Sequence, residues 1–203
     1  MSLGAGDVYL FLDSINAWAD AQTGQEIATS AIQAEIQAHI AAGQALIQEL
    51  TGQMSAGDIT LEEWKLAIAS ELKDMHGAMA MLGAGGADNM TPAMWGEVGS
   101  RLKQEYIYLN NFAQEIADGK LSEAQIAMRL DMYTNGAYGS YADAERTSEM
   151  LAGSTEEMRI LEDGADHCGD CEDAAGHWEP IGTLPDIGDS QCGSNCQCSF
   201  DYQ

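Results

Sequence analysis

Residues 60–75 read TLEEWKLAIASELKDM, and their pattern is the clearest indication of a helical fold. Thr60 and Glu63 form a capping box, in which a hydroxyl and a carboxylate satisfy free amides at the start of a helix. The apolar residues that follow recur every three or four positions, which places them on one helical face. They are Trp64, Ile68, Leu72 and Met75. The pattern predicts an amphipathic helix that begins at Thr60.

Similar patterns predict three further helices. Isoleucines at helical spacing indicate a mostly helical segment over residues 14–52. Another helix begins at Thr91-Pro92, since proline is tolerated in a first turn, and covers residues 91–117. A second capping box, Ser122-x-x-Gln125, predicts a helix over residues 122–150. The residues expected to face inward are Ile32, Ile36, Ile40, Ile47 and Leu50, then Trp95, Val98, Leu102, Leu109 and Phe112, then Ile126, Leu130 and Tyr133.

The composition changes after Ala152-Gly153-Ser154-Thr155. Beyond this point short apolar pieces alternate with Gly, Pro and Asp, a pattern typical of brief strands and turns. We therefore predict a mainly α-helical fold, with a helical domain over residues 1–153 and a small Cys-rich tail over residues 154–203.

The chain is strongly acidic, because its 203 residues carry 33 acidic and 8 basic side chains, for a formal net charge of −25. Nucleic-acid binders gain affinity by neutralising phosphates with Lys and Arg, so we expect no direct nucleic-acid binding. The acidity suits either docking on a basic partner or an ordinary solvated surface. No apolar run approaches the ~20 residues of a membrane span, and no basic segment precedes the apolar residues 8–12. We expect a soluble protein without an export signal.

Five cysteines lie within the last 36 residues, and the first 167 residues have none. Cys168-Gly169-Asp170-Cys171 is a Cys-x-x-Cys turn, and Cys192-Gly193-Ser194-Asn195-Cys196-Gln197-Cys198 follows after an interval of 20 residues. Such a turn directs two thiolates at one cation about 2.3 Å away, and a second cysteine pair completes a tetrahedral site. The spacing predicts one Zn²⁺ ion in a zinc-ribbon-like tail.

Five thiols exceed the four positions of a tetrahedral site, so one is spare. The ligands that we predict are Cys168, Cys171, Cys192 and Cys196. Cys198 could replace either later ligand, His167 is a competitor, and His177 is a weaker one. Four thiolates leave no position for water, so the site should be structural. Two disulfides with one free thiol are the alternative, and we also expect Trp178, Ile181 and Leu184 to form a miniature core beside the cysteines.

No motif in the chain indicates an enzyme. A phosphate-binding glycine loop, His-Glu-x-x-His and a serine-nucleophile motif are all missing from the sequence. His39 and His76 lie in helical stretches without a matching partner, and we interpret each as a surface or internally satisfied histidine. We predict no catalytic function.

The tail resembles the C-terminal region of tailed-phage minor head proteins, the head-morphogenesis group that includes the Mu F-like proteins. The resemblance is carried by the segments Asp166–Cys171, Trp178–Pro185 and Asn195–Cys198, together with the helical run Leu102–Phe112. Much of that group has a His a few residues before the final Cys-x-Cys. This chain has Gly193 there, preceded by Cys192, which would take over as a ligand.

The resemblance implies a structural component of a phage virion, such as a minor head, connector or capsid-associated protein, assembled in the host cytoplasm. Its partners would be capsid or portal proteins in an oligomeric assembly. In such an assembly the helices would offer an apolar and Gln-rich docking surface. Its polar side would include Gln33, Gln37, Gln44 and Gln48, for which a plain solvated helix face is the alternative. A cytosolic zinc-ribbon adaptor that binds a protein partner is the alternative.

Overall fold

The computed structural model describes residues 9–12 and 17–203, with the backbone alone at residues 11, 12 and 17. It begins with a small antiparallel sheet of strands β1 (Tyr9–Leu12), β2 (Ala17–Asp20) and β3 (Glu26–Ile27), in that order. The Asp20 carboxylate accepts the Thr23 N–H at 2.7 Å and closes the turn between β2 and β3.

The prediction of a mostly helical segment over residues 14–52 is therefore wrong for residues 17–27, and residues 14–16 lie outside the described part. The helix α1 (Thr29–Ala56) begins only two residues after β3. The isoleucine periodicity that indicates a helix starts only at Ile32. Trp18 instead lies on strand β2, where it is buried and pairs with Ile27 of β3.

Three more long helices follow, α2 (Leu61–Gly83), α3 (Pro92–Ala117) and α4 (Glu123–Ala152). Both predicted capping boxes are confirmed. The Thr60 hydroxyl accepts the Glu63 N–H at 3.2 Å, and the Ser122 hydroxyl accepts the Gln125 N–H at 3.3 Å. Helix α4 is capped by Gly153, whose φ of 106° lies in the left-handed region that a C-terminal glycine cap uses.

The helices pack around α2, where the predicted face of Trp64, Ile68 and Leu72 is fully buried. The prediction is wrong for Trp95, which is 46% exposed. The inward face of α3 begins one residue earlier, at Met94, and one residue along a helix turns a side chain by about 100°. The remaining inward predictions for α3 are confirmed, since Val98, Leu102, Leu109 and Phe112 are buried.

After Gly153 the chain forms the predicted tail of short elements. These are β4 (Glu156–Ile160), the one-and-a-half-turn helix α5 (Gly169–Ala174), β5 (Glu179–Pro180) and β6 (Ser199–Tyr202). Strand β4 lies between β5 and β6 and is antiparallel to both. The fold is thus mainly helical with a C-terminal region of short strands. Within residues 9–12 and 17–203, no helix combines the length and apolar character needed to cross a membrane.

Two arginines join the tail to the helices. Arg146 of α4 forms an ion pair with Glu157 of β4 at 2.7 Å, and its guanidinium lies 4.3 Å from the centre of the Phe200 ring. Arg101 of α3 donates to the Ile187 carbonyl at 3.4 Å. Because Arg146 and Glu157 are both buried, separating the tail from α4 would leave charged groups unpaired.

Candidate metal centre

The tail brings all five cysteines to one place. Cys168 precedes α5, and Cys171 lies in its first turn. Cys192 and Cys196 flank a single turn of 3₁₀ helix at Gly193–Asn195, and Cys198 directly precedes β6. All five are free thiols, and Cys171, Cys196 and Cys198 are buried.

The sulfur atoms are spaced as metal ligands. Cys171 Sγ lies 3.6 Å from Cys192 Sγ and 3.8 Å from Cys196 Sγ. Two sulfurs bound to one tetrahedral zinc at 2.3 Å are about 3.8 Å apart, since this is the edge of that tetrahedron. The cysteine cluster therefore has the donor atoms and the spacing to hold a metal ion.

The sulfurs form two groups of three that share Cys171. We call Cys168, Cys171 and Cys192 the outer triad, and Cys171, Cys196 and Cys198 the inner triad. Within each triad all sulfurs lie within 4.8 Å of one another. The four predicted ligands all lie in the cluster. Three of them form the outer triad, and Cys196 belongs to the inner triad. Cys198, which the prediction leaves spare, lies as deep as Cys171.

A buried arginine lies against the cluster. Arg159 of β4 is 0% exposed, and its Nη1 donates to Cys171 Sγ at 3.6 Å and to Cys196 Sγ at 3.8 Å. Among the described residues no carboxylate lies within ion-pair distance of this guanidinium, so the cysteine sulfurs are its available counter-charge. Hydrogen bonds to bound thiolates are the usual outer-shell support of a metal site.

The thiols differ in acidity because of their surroundings. Burial raises the pKa of Cys192 well above its usual range, and burial also raises the pKa of Cys198, to about 12. Burial acts in the same direction on Cys196, but hydrogen bonds from the Cys198 backbone N–H and from neighbouring thiols outweigh it, and its pKa is lowered. A metal ion that binds here must displace thiol protons.

The two histidines of the tail have different positions. His167 Nδ1 lies 3.9 Å from Cys198 Sγ, at the edge of the inner triad. His177 instead hydrogen-bonds to the Ala175 carbonyl at 3.0 Å and lies 3.7 Å from Glu179, away from the sulfurs. The geometry keeps His167 as a candidate ligand and separates His177 from the cluster.

Comparisons with known proteins add no relative. No protein-family model, curated protein or solved structure matches this chain.

The apolar residues beside the cysteines are only partly those predicted. Leu184 is buried as expected, and it packs with Ile187, Phe200 and the cysteines. Trp178 and Ile181 are half-buried and lie outside this cluster, so that part of the prediction is wrong. Phe200 reaches the cluster because alternate residues of β6 face α4, a placement that depends on strand pairing.

A second polar cluster lies between the helices. His76 of α2 is 0% exposed, with Nδ1 2.7 Å from the Ser140 hydroxyl and Nε2 3.0 Å from the Glu105 carboxylate. This confirms that His76 is an internally satisfied histidine, with partners on α4 and α3 that sequence spacing does not reveal. Ser140 is only 2% exposed, so its hydroxyl is closed to a substrate in this conformation. The cluster connects three helices.

Proposed function

We propose that this chain is a structural component of a phage particle, in which a structural zinc ion holds the C-terminal tail in shape against the helices. The observation that carries the proposal is the cysteine cluster with its buried arginine, placed where the tail joins α4. The phage context is supported by the resemblance of the segments around Cys168, Cys171, Cys196 and Cys198.

The donor set fits zinc. Thiolates at tetrahedral spacing suit this ion, and no carboxylate belongs to either triad. Cys168, Cys171, Cys192 and Cys196 would hold it, and zinc would supply a cross-link between two separate segments of the tail, residues 168–171 and 192–196. A tail with one small apolar cluster gains its stability from such a cross-link, since metal binding free energy becomes folding free energy.

The surface suits contact with other proteins. The exposed fractions of Trp95, Ile107 and Tyr108 on α3 are 46%, 46% and 56%. Aromatic side chains such as Trp95 and Tyr108 are enriched at protein interfaces. The net charge of −25 favours a basic patch on a capsid or portal protein and disfavours packaged nucleic acid.

Two measurements test the proposal. Mass spectrometry of purified particles should find the chain at a fixed ratio to the capsid protein, and metal analysis of fresh, reduced protein should find at least one zinc per chain. Chelation should unfold the tail while the helical circular dichroism signal from α1 to α4 persists. Zinc-free protein with an intact tail would reject the metal proposal.

A cytosolic zinc-ribbon adaptor uses the same surfaces and is the second candidate. The exposed α3 residues favour a protein partner in either case. Absence from particles, together with a soluble monomer that captures one host protein, would favour the adaptor and reject the phage role.

A further inference from the structure

The tail holds more metal donors than one tetrahedral ion can use. Five sulfurs and the Nδ1 atom of His167 make six donors in one cluster. Among the described residues, the largest group whose donors all lie within 4.8 Å of one another has three members, and two such groups exist. The sulfurs thus form the outer and inner triads, which share Cys171.

His167 is oriented as a metal ligand. Its Nε2 lies 2.9 Å from the Glu162 carbonyl oxygen, an atom that only accepts, so Nε2 carries the proton. The lone pair is then on Nδ1, which lies 3.9 Å from Cys198 Sγ. A nitrogen and a sulfur on one tetrahedral zinc are about 3.5 Å apart. A backbone carbonyl that holds the second ring nitrogen is the usual outer-shell support of a zinc-bound histidine.

Two zinc ions in this cluster would have to share sulfur ligands. Two tetrahedral ions have eight positions, and six donors fill them only if two donors bridge. Cys171 belongs to both triads. Cys196 belongs to the inner triad and lies 3.8 Å from Cys171 Sγ, and Arg159 Nη1 donates to both of these sulfurs. Cys171 and Cys196 are therefore the two sulfurs placed to bridge.

We propose that the tail binds two zinc ions in one thiolate-bridged cluster. The first ion is bound by the outer triad and Cys196. The second is bound by the inner triad and His167. The inference rests on the zinc site proposed above and extends it by a second ion and two ligands, Cys198 and His167.

The charge of the surroundings agrees with two ions. Five thiolates and two Zn²⁺ sum to one negative charge, and the buried guanidinium of Arg159, which lies against the sulfurs, balances it. Its Nη1 donates to Cys171 and Cys196, the two proposed bridges. One zinc with four thiolates would carry two negative charges and leave a net negative charge beside Arg159. A balanced charge is favoured where water is excluded.

Native mass spectrometry of the reduced, full-length chain with zinc tests the proposal. The expected mass increase corresponds to two zinc ions. An increase of one zinc ion would overturn the two-ion cluster and leave the proposed structural site intact, whereas no bound zinc would reject both. Replacement with ¹¹³Cd gives a second measurement, in which two coupled resonances are expected and one resonance would overturn the cluster.

Matched variants separate the two arrangements. Cys198→Ser and Cys168→Ser should each reduce the content from two ions to one. The exposed control Gln197→Ser, between two of the cysteines, should retain both. In a single site made by Cys168, Cys171, Cys192 and Cys196, Cys198→Ser would have no effect and Cys168→Ser would remove the ion. Either of these results would overturn the proposal.

Discussion

Replacing Arg159 tests how the buried cation supports the metal site. In Arg159→Met the side chain keeps an unbranched stem but loses the charge and the two contacts to Cys171 and Cys196, at 3.6 and 3.8 Å. A unit cation at that distance from a unit anion gains about 4 kcal/mol at an effective dielectric constant near 20. Bound metal already withdraws part of the thiolate charge, so the variant should lose only part of this energy.

We expect zinc affinity to fall 10- to 100-fold in Arg159→Met, about 1.4–2.7 kcal/mol, as for other outer-shell contacts. Competition with a chromophoric chelator measures the affinity, and circular dichroism verifies that the helices persist. Arg129→Met is the matched control, because Arg129 of α4 pairs with Glu115 of α3 and should leave affinity unchanged. Equal affinity in Arg159→Met and the wild type would refute the electrostatic argument.

The other predictions concern helix packing, pH and proton release. Gly83→Ala should lower the free energy of unfolding by at least about 2 kcal/mol, because its Cβ would lie 2.1 Å from the Tyr141 carbonyl oxygen. Gly99→Ala, with open space at Cβ, should instead raise it by about 0.5–1 kcal/mol, and urea titration compares the two variants. Burial raises the pKa of Glu145 from 4.5 to about 7, so the folded state holds a proton that the unfolded state has lost. The contribution of Glu145 to the free energy of unfolding is present below pH 4.5 and is lost as the pH rises through 7, by up to about 3 kcal/mol. Glu145→Gln should remove this pH dependence, which unfolding curves at pH 5 and 8 measure. Zinc binding at pH 7 should release protons from ligand thiols such as Cys192, whose pKa is raised well above its usual range by burial, and an indicator dye that detects no release would exclude thiolate ligation.

Strand β4 shows why part of the metal site was hidden from sequence reasoning. Its buried side chains are Glu157 and Arg159, whereas Ile160 is 36% exposed. The alternation is the reverse of the usual pattern, in which apolar residues face inward. Charged residues can occupy these positions only because partners from distant segments, Arg146 and the cysteine sulfurs, meet them there.

Features that depend on local spacing could be predicted from the sequence alone. Capping boxes at Thr60 and Ser122 mark helix starts because each is complete within four residues, and Cys168-x-x-Cys171 indicates a metal because the turn alone brings two thiols together. Which donors meet, and what surrounds them, depends on contacts between segments that are distant in the chain. The approach of Arg159 and His167 to the cysteines depends on strand pairing and on the docking of the tail, and neither leaves a periodic signal in the chain.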